Sequence, residues 1–345
     1  MVQVVICAHL HGDPDMNDII HFDTDQEVTH IQTHLSHVFL LGEKVVKIKK
    51  PVDFSFLDYS TLARRKMFCE AEVALNRRFS PEVYLDVVPL FMRPDGLLAL
   101  EGDGEAAEYA VVMKRLPGEA MLARRLEKGD VRPKEMAALA DVLAKFYRHA
   151  GTSPEISAFG NVEQVRQNTE ENFETTLDFG EELLPDDVRS LLRRANLEFL
   201  DSHEDLFRKR VEEGRVLDGH GDLKPENLFL TAEGPVVTDC IEFNERFRYG
   251  DVLVDLGYLT MGLRAAGRLD LRKAFLDRYQ EVGEPGYPRD LLAYYETYRA
   301  VVKGKIEGYR ARQPEVPTAE REEARKISNA HFLLARDIVV EAGMG

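Results

Sequence analysis

One polar run between two short apolar segments constrains the fold of this chain more than any other stretch. Residues 220–227 read His-Gly-Asp-Leu-Lys-Pro-Glu-Asn, and Asp239 follows twelve positions after the last of them. Apolar residues at 216–217 and 228–230 flank the run, as is expected of short buried strands. The β-branched residues 236–238 predict a further strand that ends at Asp239. We therefore expect the polar side chains at the edges of a small hairpin, where the backbone fixes their direction.

The polar residues of this run are the types that phosphoryl transfer requires. One carboxylate must hold the attacking hydroxyl, and further oxygens must hold Mg²⁺ against the phosphates of ATP. Asp222 is the candidate for the first role. Asn227 and Asp239 are the candidates for the second, because Mg²⁺ takes one or two protein oxygens and completes its shell with phosphate and water. An Asp and an Asn can also simply shape an exposed turn, but the full ordered set between strands favours a kinase.

Length and net charge bound the class of protein. The 345 residues carry a formal net charge of -16, which argues against a nucleic-acid partner because DNA and RNA association is driven by Lys and Arg. A chain of this length can bury a full core, and we expect it to fold as two lobes.

Cysteine usage and hydropathy predict a cytoplasmic location. The three cysteines (Cys7, Cys69 and Cys240) lie far apart without metal-ligand spacing, which predicts free thiols in a reducing compartment. The sequence has no run of about 20 apolar residues, so we expect no membrane span and no membrane partner. Met1 to Leu10 lack the basic leader and cleavage site of a signal peptide.

Strand patterns occupy the first third of the chain, and helical patterns occupy most of the rest. The apolar or β-branched runs 38–41 and 45–48 are joined by a short turn, which predicts a hairpin. After Gly118 the pattern is mainly helical. We therefore predict an α+β fold, with a small β-rich N-lobe over residues 1–117 and a larger helical C-lobe over residues 118–345.

Phosphoryl transfer also needs a cation on the phosphates. Lys47 lies on the second strand of the predicted hairpin, and Val45, two places before it, shares its face. In this interpretation Val45 covers the adenine and Lys47 reaches the phosphates. Lys49 shares the same face and is the alternative, although it would place the charge of Lys47 over the base. A basic edge strand that prevents aggregation is the structural alternative for this segment.

The carboxylate partner of this lysine is expected on the helix predicted from Ser60 to Phe79. Glu70 and Glu72 both lie there, and Glu72 is preferred because it begins an apolar face. No Gly-rich loop precedes Lys47, so we expect the backbone and hydroxyl of Ser36 to contact the phosphates. The missing loop counts against a typical protein kinase, whose signature includes it.

The order of these residues resembles the aminoglycoside phosphotransferase or choline-kinase-like family, the phosphotransferase enzymes. The resemblance spans roughly residues 25 to 310. It implies a protein-kinase-like bilobal fold and transfer of the γ-phosphate of ATP to a hydroxyl group. The residues that carry it are Lys47, Glu72, Leu116-Pro-Gly118, His220-Gly-Asp222, Asn227, Asp239 and Asp255.

The resemblance also implies a role for each candidate residue, with ATP and Mg²⁺ as cofactors. Asp222 would be the catalytic base or hydroxyl-orienting group, and His220 would support its loop. Asn227 and Asp239 would be the Mg²⁺ ligands. Lys47 and Glu72 would form the pair that holds the phosphates, and the backbone at Lys114 and Leu116 would contact adenine.

The same loop carries one likeness to protein kinases and two departures from them. Lys224-Pro-Glu-Asn227 is shared with many Ser/Thr protein kinases, and Lys224 would contact the γ-phosphate and a hydroxyl substrate. Gly221 stands where such kinases carry an Arg that senses a phosphorylated activation loop, and Asp239-Cys-Ile-Glu242 replaces Asp-Phe-Gly. Both departures favour a small hydroxyl-bearing acceptor, such as an amino sugar, a sugar or an amino alcohol. A protein kinase and a catalytically weak nucleotide-binding regulatory module remain the alternatives.

Three further stretches narrow the resemblance to an uncharacterised bacterial branch: Lys47-Ile-Lys-Lys-Pro51, Phe56-Leu-Asp-Tyr59 and Asn76-Arg-Arg78. Members of that branch are often fused to a C-terminal P-loop ATPase. This chain has no Gly-x4-Gly-Lys-Ser/Thr run, so a separate P-loop ATPase is a candidate partner.

Several carboxylates are available to a cationic acceptor, although a charge run on a helix is usually a solvated face. They are Glu163, Glu170, Glu171, Glu174 and Glu242.

Overall fold

The computed structural model describes residues 5–7, 28–54, 56–94, 97–100 and 102–344. Within them the chain forms two compact units. The first comprises residues up to Ala120 together with Val236–Glu245, and the second comprises Met121–Pro235 and Arg246–Gly345. The chain therefore enters the first unit twice. The lobe boundary between residues 117 and 118 stays a prediction.

The described residues of the first unit form a seven-stranded antiparallel sheet, a short hairpin and a long helix. The sheet has the strand order β1-β8-β7-β9-β4-β3-β2, and β5 and β6 form a separate short hairpin. Helix α1 (Leu62–Asn76) follows β6. The strands are β1 (Val5–Cys7), β2 (Val28–Gln32), β3 (Ser36–Leu41), β4 (Lys44–Lys49), β5 (Asp53–Phe54), β6 (Leu57–Asp58), β7 (Tyr84–Met92), β8 (Leu97–Ala99) and β9 (Glu108–Lys114).

Strand β4 serves a core on one face and a polar cluster on the other. Val46 and Ile48 are buried in a hydrophobic cluster with Phe39 and Leu90. Because successive side chains of a strand point to opposite faces, Lys47 lies on the other side of the sheet. Burying each aliphatic side chain contributes about 1.5–3 kcal/mol. The register that buries Val46 and Ile48 therefore also directs Lys47 and Lys49 to the opposite face of the sheet.

Helix α1 packs on the sheet through its apolar face. The Thr61 hydroxyl caps the helix by accepting from the backbone N–H of Arg64 at 3.3 Å. Cys69 and Val73 are buried against Val111 of β9. The packing turns the neighbouring Glu72 inwards, and this side chain is 1% exposed.

The second unit is mainly helical. A hydrophobic cluster of this unit includes Phe179, Leu192, Tyr258 and Phe332. The helices are α2 (Leu122–Lys128), α3 (Pro133–Tyr147), α4 (Pro154–Ser157), α5 (Val162–Glu174), α6 (Asp186–Ser202), α7 (Glu204–Glu212), α8 (Glu245–Arg248), α9 (Val252–Ala265), α10 (Leu269–Val282), α11 (Arg289–Arg312) and α12 (Thr318–Ala342), with α8 starting at the division between the units.

A short two-stranded sheet in the second unit delivers the polar run of residues 220–227. Strand β10 (Val216–Asp218) pairs antiparallel with β13 (Tyr249–Asp251). The run begins two residues after β10 and ends in a 3₁₀ turn, Pro225–Asn227. Strands β11 (Leu228–Thr231) and β12 (Gly234–Val237) follow, and β12 carries the chain back into the first unit.

In the described part of the chain, no helix combines the length and apolar character needed to cross a membrane. Cys69 and Cys240 are buried free thiols. Apart from Val5–Cys7, the N-terminal stretch Met1 to Leu10 lies outside the described residues, as do the features predicted from it.

Candidate active site

In the first unit, Lys47 of β4 bridges two carboxylates. Its Nζ lies 2.8 Å from Oε1 of Glu72 and 3.1 Å from Oδ1 of Asp239. Burial on its own would lower the pKa of Lys47, but the charges of Asp239 and Glu72 outweigh it and raise this pKa well above its ordinary value. Lys47 is therefore a fixed cation, and the Asp239 side chain beside it is 51% exposed.

Lys49 holds the other oxygen of Glu72. Its Nζ lies 2.7 Å from Oε2 of Glu72, and it also forms an ion pair with Oε1 of Glu242. Tyr59 closes the group by donating its hydroxyl to Oε1 of Glu242 at 2.6 Å. The Lys49 side chain is 1% exposed. The two lysines that the sequence left as alternatives therefore share one carboxylate.

Glu70 takes a different position on the same helix. Its side chain is 58% exposed, and its nearest cation is Lys66, one helical turn away at 3.8 Å. Of the two glutamates that were considered, the structure thus brings Glu72 to the lysines and leaves Glu70 at the surface.

The backbone at Asp239 is held in an unusual conformation. Asp239 is the one non-glycine residue in the described ranges with a positive φ, 64°. Left-handed backbone costs about 1–3 kcal/mol outside glycine, so neighbouring contacts must hold it. The Asp239 N–H donates to the Tyr84 hydroxyl at 3.0 Å, and the Cys240 N–H donates to Oδ1 of Asn76 at 2.9 Å. These bonds aim the Asp239 carboxylate from a fixed backbone.

In the second unit, Asp222 lies on a loop whose own residues donate hydrogen bonds to its carboxylate. Nζ of Lys224 donates to Asp222 Oδ2 at 2.6 Å, and Nδ2 of Asn227 donates to the same oxygen at 2.9 Å. The Asn227 amide also donates to the Asp222 carbonyl at 2.9 Å. Pro225 begins the 3₁₀ turn that brings Asn227 back towards Asp222.

Asp255 of α9 braces this loop from behind. Its Oδ2 accepts from the backbone N–H of His220 at 2.8 Å and from the Tyr147 hydroxyl at 2.9 Å, and its Oδ1 accepts from the N–H of Gly221 at 2.8 Å. The cap of α9 is a different carboxylate, Asp251, which accepts from the N–H of Leu253.

Two glycines are required for this arrangement. A Cβ on Gly219 would lie 2.6 Å from Oδ2 of Asp255, so this carboxylate would have to shift away from the His220 N–H that it accepts from. Gly221 has a φ of 85°, a conformation that favours glycine. The sequence marked Gly221 as a departure from protein kinases. Its positive φ gives a local reason for glycine at this position.

The remaining candidates lie at strand ends of the first unit. Ser36 begins β3 and is 2% exposed, and its N–H and C=O both bond to Thr33. Lys114 ends β9, and its backbone N–H donates to the Val83 carbonyl at 2.8 Å. Leu116 packs against the cluster beneath α1. Their contacts with a nucleotide stay predictions.

Sequence reasoning missed the roles of Tyr59 and Glu242. Tyr59 ends the Phe56-Leu-Asp-Tyr59 stretch, which served only to narrow the family resemblance. Glu242 was taken as a carboxylate for a cationic acceptor, but its side chain is 7% exposed and paired with Lys49. The other glutamates of that set, Glu163, Glu170, Glu171 and Glu174, line a shallow surface groove on α5.

Comparison with known sequences identifies the family. The pattern of the phosphotransferase enzyme family matches residues 54–292. Uncharacterised proteins of Mycobacterium tuberculosis and Mycobacterium bovis are 33% identical over 282 residues, which cover 82% of this chain and 55% of theirs. The chain thus spans about half the length of these curated relatives. It belongs to the phosphotransferase enzyme family.

Comparison with solved structures identifies the fold. A choline/ethanolamine kinase family protein from Mesorhizobium loti matches 91% of this chain and 88% of its own, with a TM-score of 0.56 and 14% identity. A choline kinase from Cryptosporidium parvum matches 92% of this chain and 91% of its own, with a TM-score of 0.52 and 12% identity. The predicted α+β fold of the kinase type, with a β-sheet N-lobe and a helical C-lobe, is confirmed.

Proposed function

We propose that this chain transfers the γ-phosphate of ATP to a hydroxyl group of a small molecule. The observation that carries the proposal is the loop at Asp222, where a lysine and an amide hold one carboxylate on a braced backbone. Membership of the phosphotransferase enzyme family supports the same reaction class.

Asp222 is the group that we assign to the acceptor hydroxyl. Both Lys224 and Asn227 donate to Oδ2, so Oδ1 is the oxygen that we assign to orienting the hydroxyl and accepting its proton. Lys224 would place a positive charge next to the phosphoryl oxygens that gain negative charge during transfer. A fixed charge of this kind lowers the free energy of the transition state.

Residues of the first unit supply the nucleotide-binding part of the proposal. Lys47, held by Glu72, would bind the phosphates. The backbone at Lys114 and Leu116 would meet adenine, and Ser36 would contact the phosphates. These assignments rest on the family resemblance and on the paired, oriented ammonium group of Lys47.

The candidate metal ligands suit a Mg²⁺ ion that binds together with ATP. Asp239 offers a half-exposed carboxylate and Asn227 an amide oxygen, and both are hard donors. The described residues form no group of three or more His, Cys, Asp or Glu that could hold an ion alone, so phosphate and water oxygens would complete the shell. When bound, the metal would neutralise charge on the phosphates.

The names of two solved structures with this fold, a choline/ethanolamine kinase family protein and a choline kinase, favour a small acceptor over a protein acceptor. We also keep the cytoplasmic location and a separate P-loop ATPase partner as predictions.

A screen of sugars, amino sugars and amino alcohols for ADP release tests the proposal. The wild type should turn over at least one compound class. Asp222→Asn, which preserves shape, should lose about 10²–10⁴-fold in kcat, the usual contribution of a general base. Asp205→Asn is the matched control, because Asp205 is an exposed carboxylate of the same unit. Equal turnover by wild type and Asp222→Asn would contradict the catalytic assignment.

Calorimetric titration with ATP and Mg²⁺ tests the nucleotide half separately. Wild type should bind, and Asp239→Ala should bind more weakly only when Mg²⁺ is present. A wild type that binds no nucleotide at any Mg²⁺ concentration would rule out both the small-molecule kinase and the protein kinase.

A further inference from the structure

Lys49, the last residue of β4, is buried in a network that the transfer reaction does not directly need. Lys49 contacts Glu72 Oε2 at 2.7 Å and the hydroxyl of Tyr59 at 3.3 Å, and it pairs with Glu242. Its side chain is 1% exposed, whereas that of Lys47 is 17% exposed and contacts the half-exposed Asp239. A ligand that reaches Asp239 is therefore next to Lys47, whereas Lys49 is buried in contact with Glu72 and Glu242.

Charge balance shows what Lys49 does there. Two lysines, Lys47 and Lys49, face three carboxylates, Glu72, Asp239 and Glu242, and the formal charge of the group is -1. Without Lys49, two buried carboxylates would share a single cation. A buried charge that loses its partner is strongly destabilising. Lys49 is therefore the counterion that contacts both Glu72 and Glu242 in this buried group.

Geometry extends this role to the segment that carries Asp239. Glu242 lies three residues after Asp239, and both Lys49 and Tyr59 hold its Oε1. A second bond holds the same segment, from Nδ2 of Asn244 to the carbonyl of Phe56 at 3.2 Å. Through the other carboxylate, Lys49 also orients Glu72 so that Oε1 faces Lys47.

We propose that Lys49 is a positioning residue for the metal-binding carboxylate: it anchors Glu242 and Glu72 so that Asp239 and Lys47 are presented to magnesium and nucleotide. The inference rests on the proposed function and assigns different roles to Lys47 and Lys49. Lys47 contacts the phosphates, and Lys49 acts through the residues that hold Lys47 and Asp239.

A charge-rescue cycle tests this division in the full-length protein. The variants are Lys49→Met, Glu242→Gln and the double variant, with Lys44→Met as the matched control because Lys44 is an exposed lysine on the same strand. Lys49→Met should lower the thermal midpoint of the ligand-free protein. The double variant restores the formal charge of the group and should recover most of that loss.

Calorimetric ATP titrations across a range of Mg²⁺ concentrations separate positioning from simple loss of stability. Lys49→Met should raise the Mg²⁺ concentration for half-maximal ATP binding by about tenfold or more, as outer-shell changes do, and should weaken metal-free ATP binding less than Lys47→Met does, because Lys47 itself is retained. Lys47→Met should weaken ATP binding with and without metal. A folded Lys49→Met protein with wild-type Mg²⁺ dependence, or a double variant no better than the single one, would overturn the proposal.

If Lys49→Met does not fold, Tyr59→Phe and Glu242→Gln decide the question. Tyr59→Phe removes the hydroxyl donor to Glu242 and leaves every charge in place. Both variants should raise the Mg²⁺ requirement, and wild-type values for both would contradict the inference. Failure of the proposed function is distinguishable, because a wild type that binds no ATP still shows whether Lys49 and Glu242 are coupled in thermal stability.

Discussion

The Asp222 carboxylate receives two donors at one oxygen, and they differ in chemistry. Asn227 contributes a neutral amide that fixes direction, and Lys224 contributes a full positive charge at 2.6 Å. The amide belongs to a turn whose geometry the proline sets, whereas the ammonium group is at the end of a flexible chain. The two donors should therefore affect the reaction differently when they are removed.

Lys224→Met should lower kcat by about a hundredfold, because one electrostatic donor near the developing charge is lost. KM for ATP should change little, since the triad of Lys47, Glu72 and Asp239 in the first unit is untouched. Lys209→Met is the control, because Lys209 is 66% exposed in the same unit. Steady-state kinetics with an accepted substrate measure this, and a change confined to KM for ATP would contradict the assignment.

Glu72 predicts a pH dependence of stability. Burial would raise the pKa of Glu72, but Lys47 and Lys49 outweigh it, and this pKa lies below its ordinary value of 4.5. A depressed folded-state pKa gives stability that is present above the unfolded-state value and is lost as pH falls through the folded-state value.

The destabilisation caused by Glu72→Gln should therefore be full at pH 7 and should shrink below about pH 4.3. Urea unfolding of wild type and variant at pH 7 and at pH 3 measures it. Glu70→Gln, at an exposed position on the same helix, should have little effect at either pH. A Glu72→Gln effect that grows as the pH falls would contradict the ion-pair explanation.

At the scale of elements, helix α9 determines how the Asp222 loop is built. Asp255 in its first turn accepts three hydrogen bonds, two of them from the loop backbone. One turn from its end, Gly262 allows close approach, because a Cβ there would lie 2.7 Å from Cγ of Pro225. The loop is thus fixed at both ends by one helix.

Asp255→Ala should reduce the free energy of unfolding by about 3 kcal/mol, since buried donors at His220, Gly221 and Tyr147 lose their acceptor. Asp255→Asn retains one acceptor oxygen and should cost less. Denaturant titration of both variants measures the difference, and equal losses would show that the hydrogen bonds are not the cause.

Gly262→Ala should lower kcat about tenfold by displacing Pro225, even though alanine favours a helix by about 1 kcal/mol over glycine. Gly304→Ala is the matched control, because a Cβ at Gly304 of α11 would meet the Phe332 ring at 3.0 Å in the hydrophobic cluster instead. That control should change stability without changing kcat. Unchanged turnover in a folded Gly262→Ala protein would show that the contact of α9 with Pro225 does not position the loop for catalysis.

At the scale of the whole molecule, the candidate residues are divided between two compact units. Lys47, Glu72 and Asp239 belong to the first, and Asp222 and Asn227 belong to the second. Asp239 joins the first unit only because the chain returns to it over residues 236–245. A ligand that binds only the folded chain stabilises it, so nucleotide binding should be visible in thermal unfolding.

Mg·ATP at about 100 times its dissociation constant should stabilise the folded chain by about 2.7 kcal/mol. Thermal unfolding with and without ligand measures this as an increase in the midpoint. Asp239→Ala should lose most of the increase that depends on Mg²⁺. An equal midpoint shift in wild type and Asp239→Ala would show that the metal does not use this carboxylate.

Local features of the chain were predictable from the sequence. The hairpin of β3 and β4, the shared face of Lys47 and Lys49, and the turn that joins Asp222 to Asn227 all depend on residues close together in the chain. Strand alternation and proline geometry act over this short range. The fold class also followed, because the order of the motif residues resembles a known family.

Contacts between distant residues could be decided only by the tertiary structure. Lys49 and Glu242 are 193 positions apart, and no periodicity of β4 indicates that the returning segment supplies its partner. The burial of Glu242 depends on that return, so the sequence could only count it among available carboxylates. The sequence by itself determined which chemical groups the protein has and on which faces of which elements they lie. The fold decided which groups are buried and paired, because the free energy of a buried charge depends on neighbours that chain order does not specify.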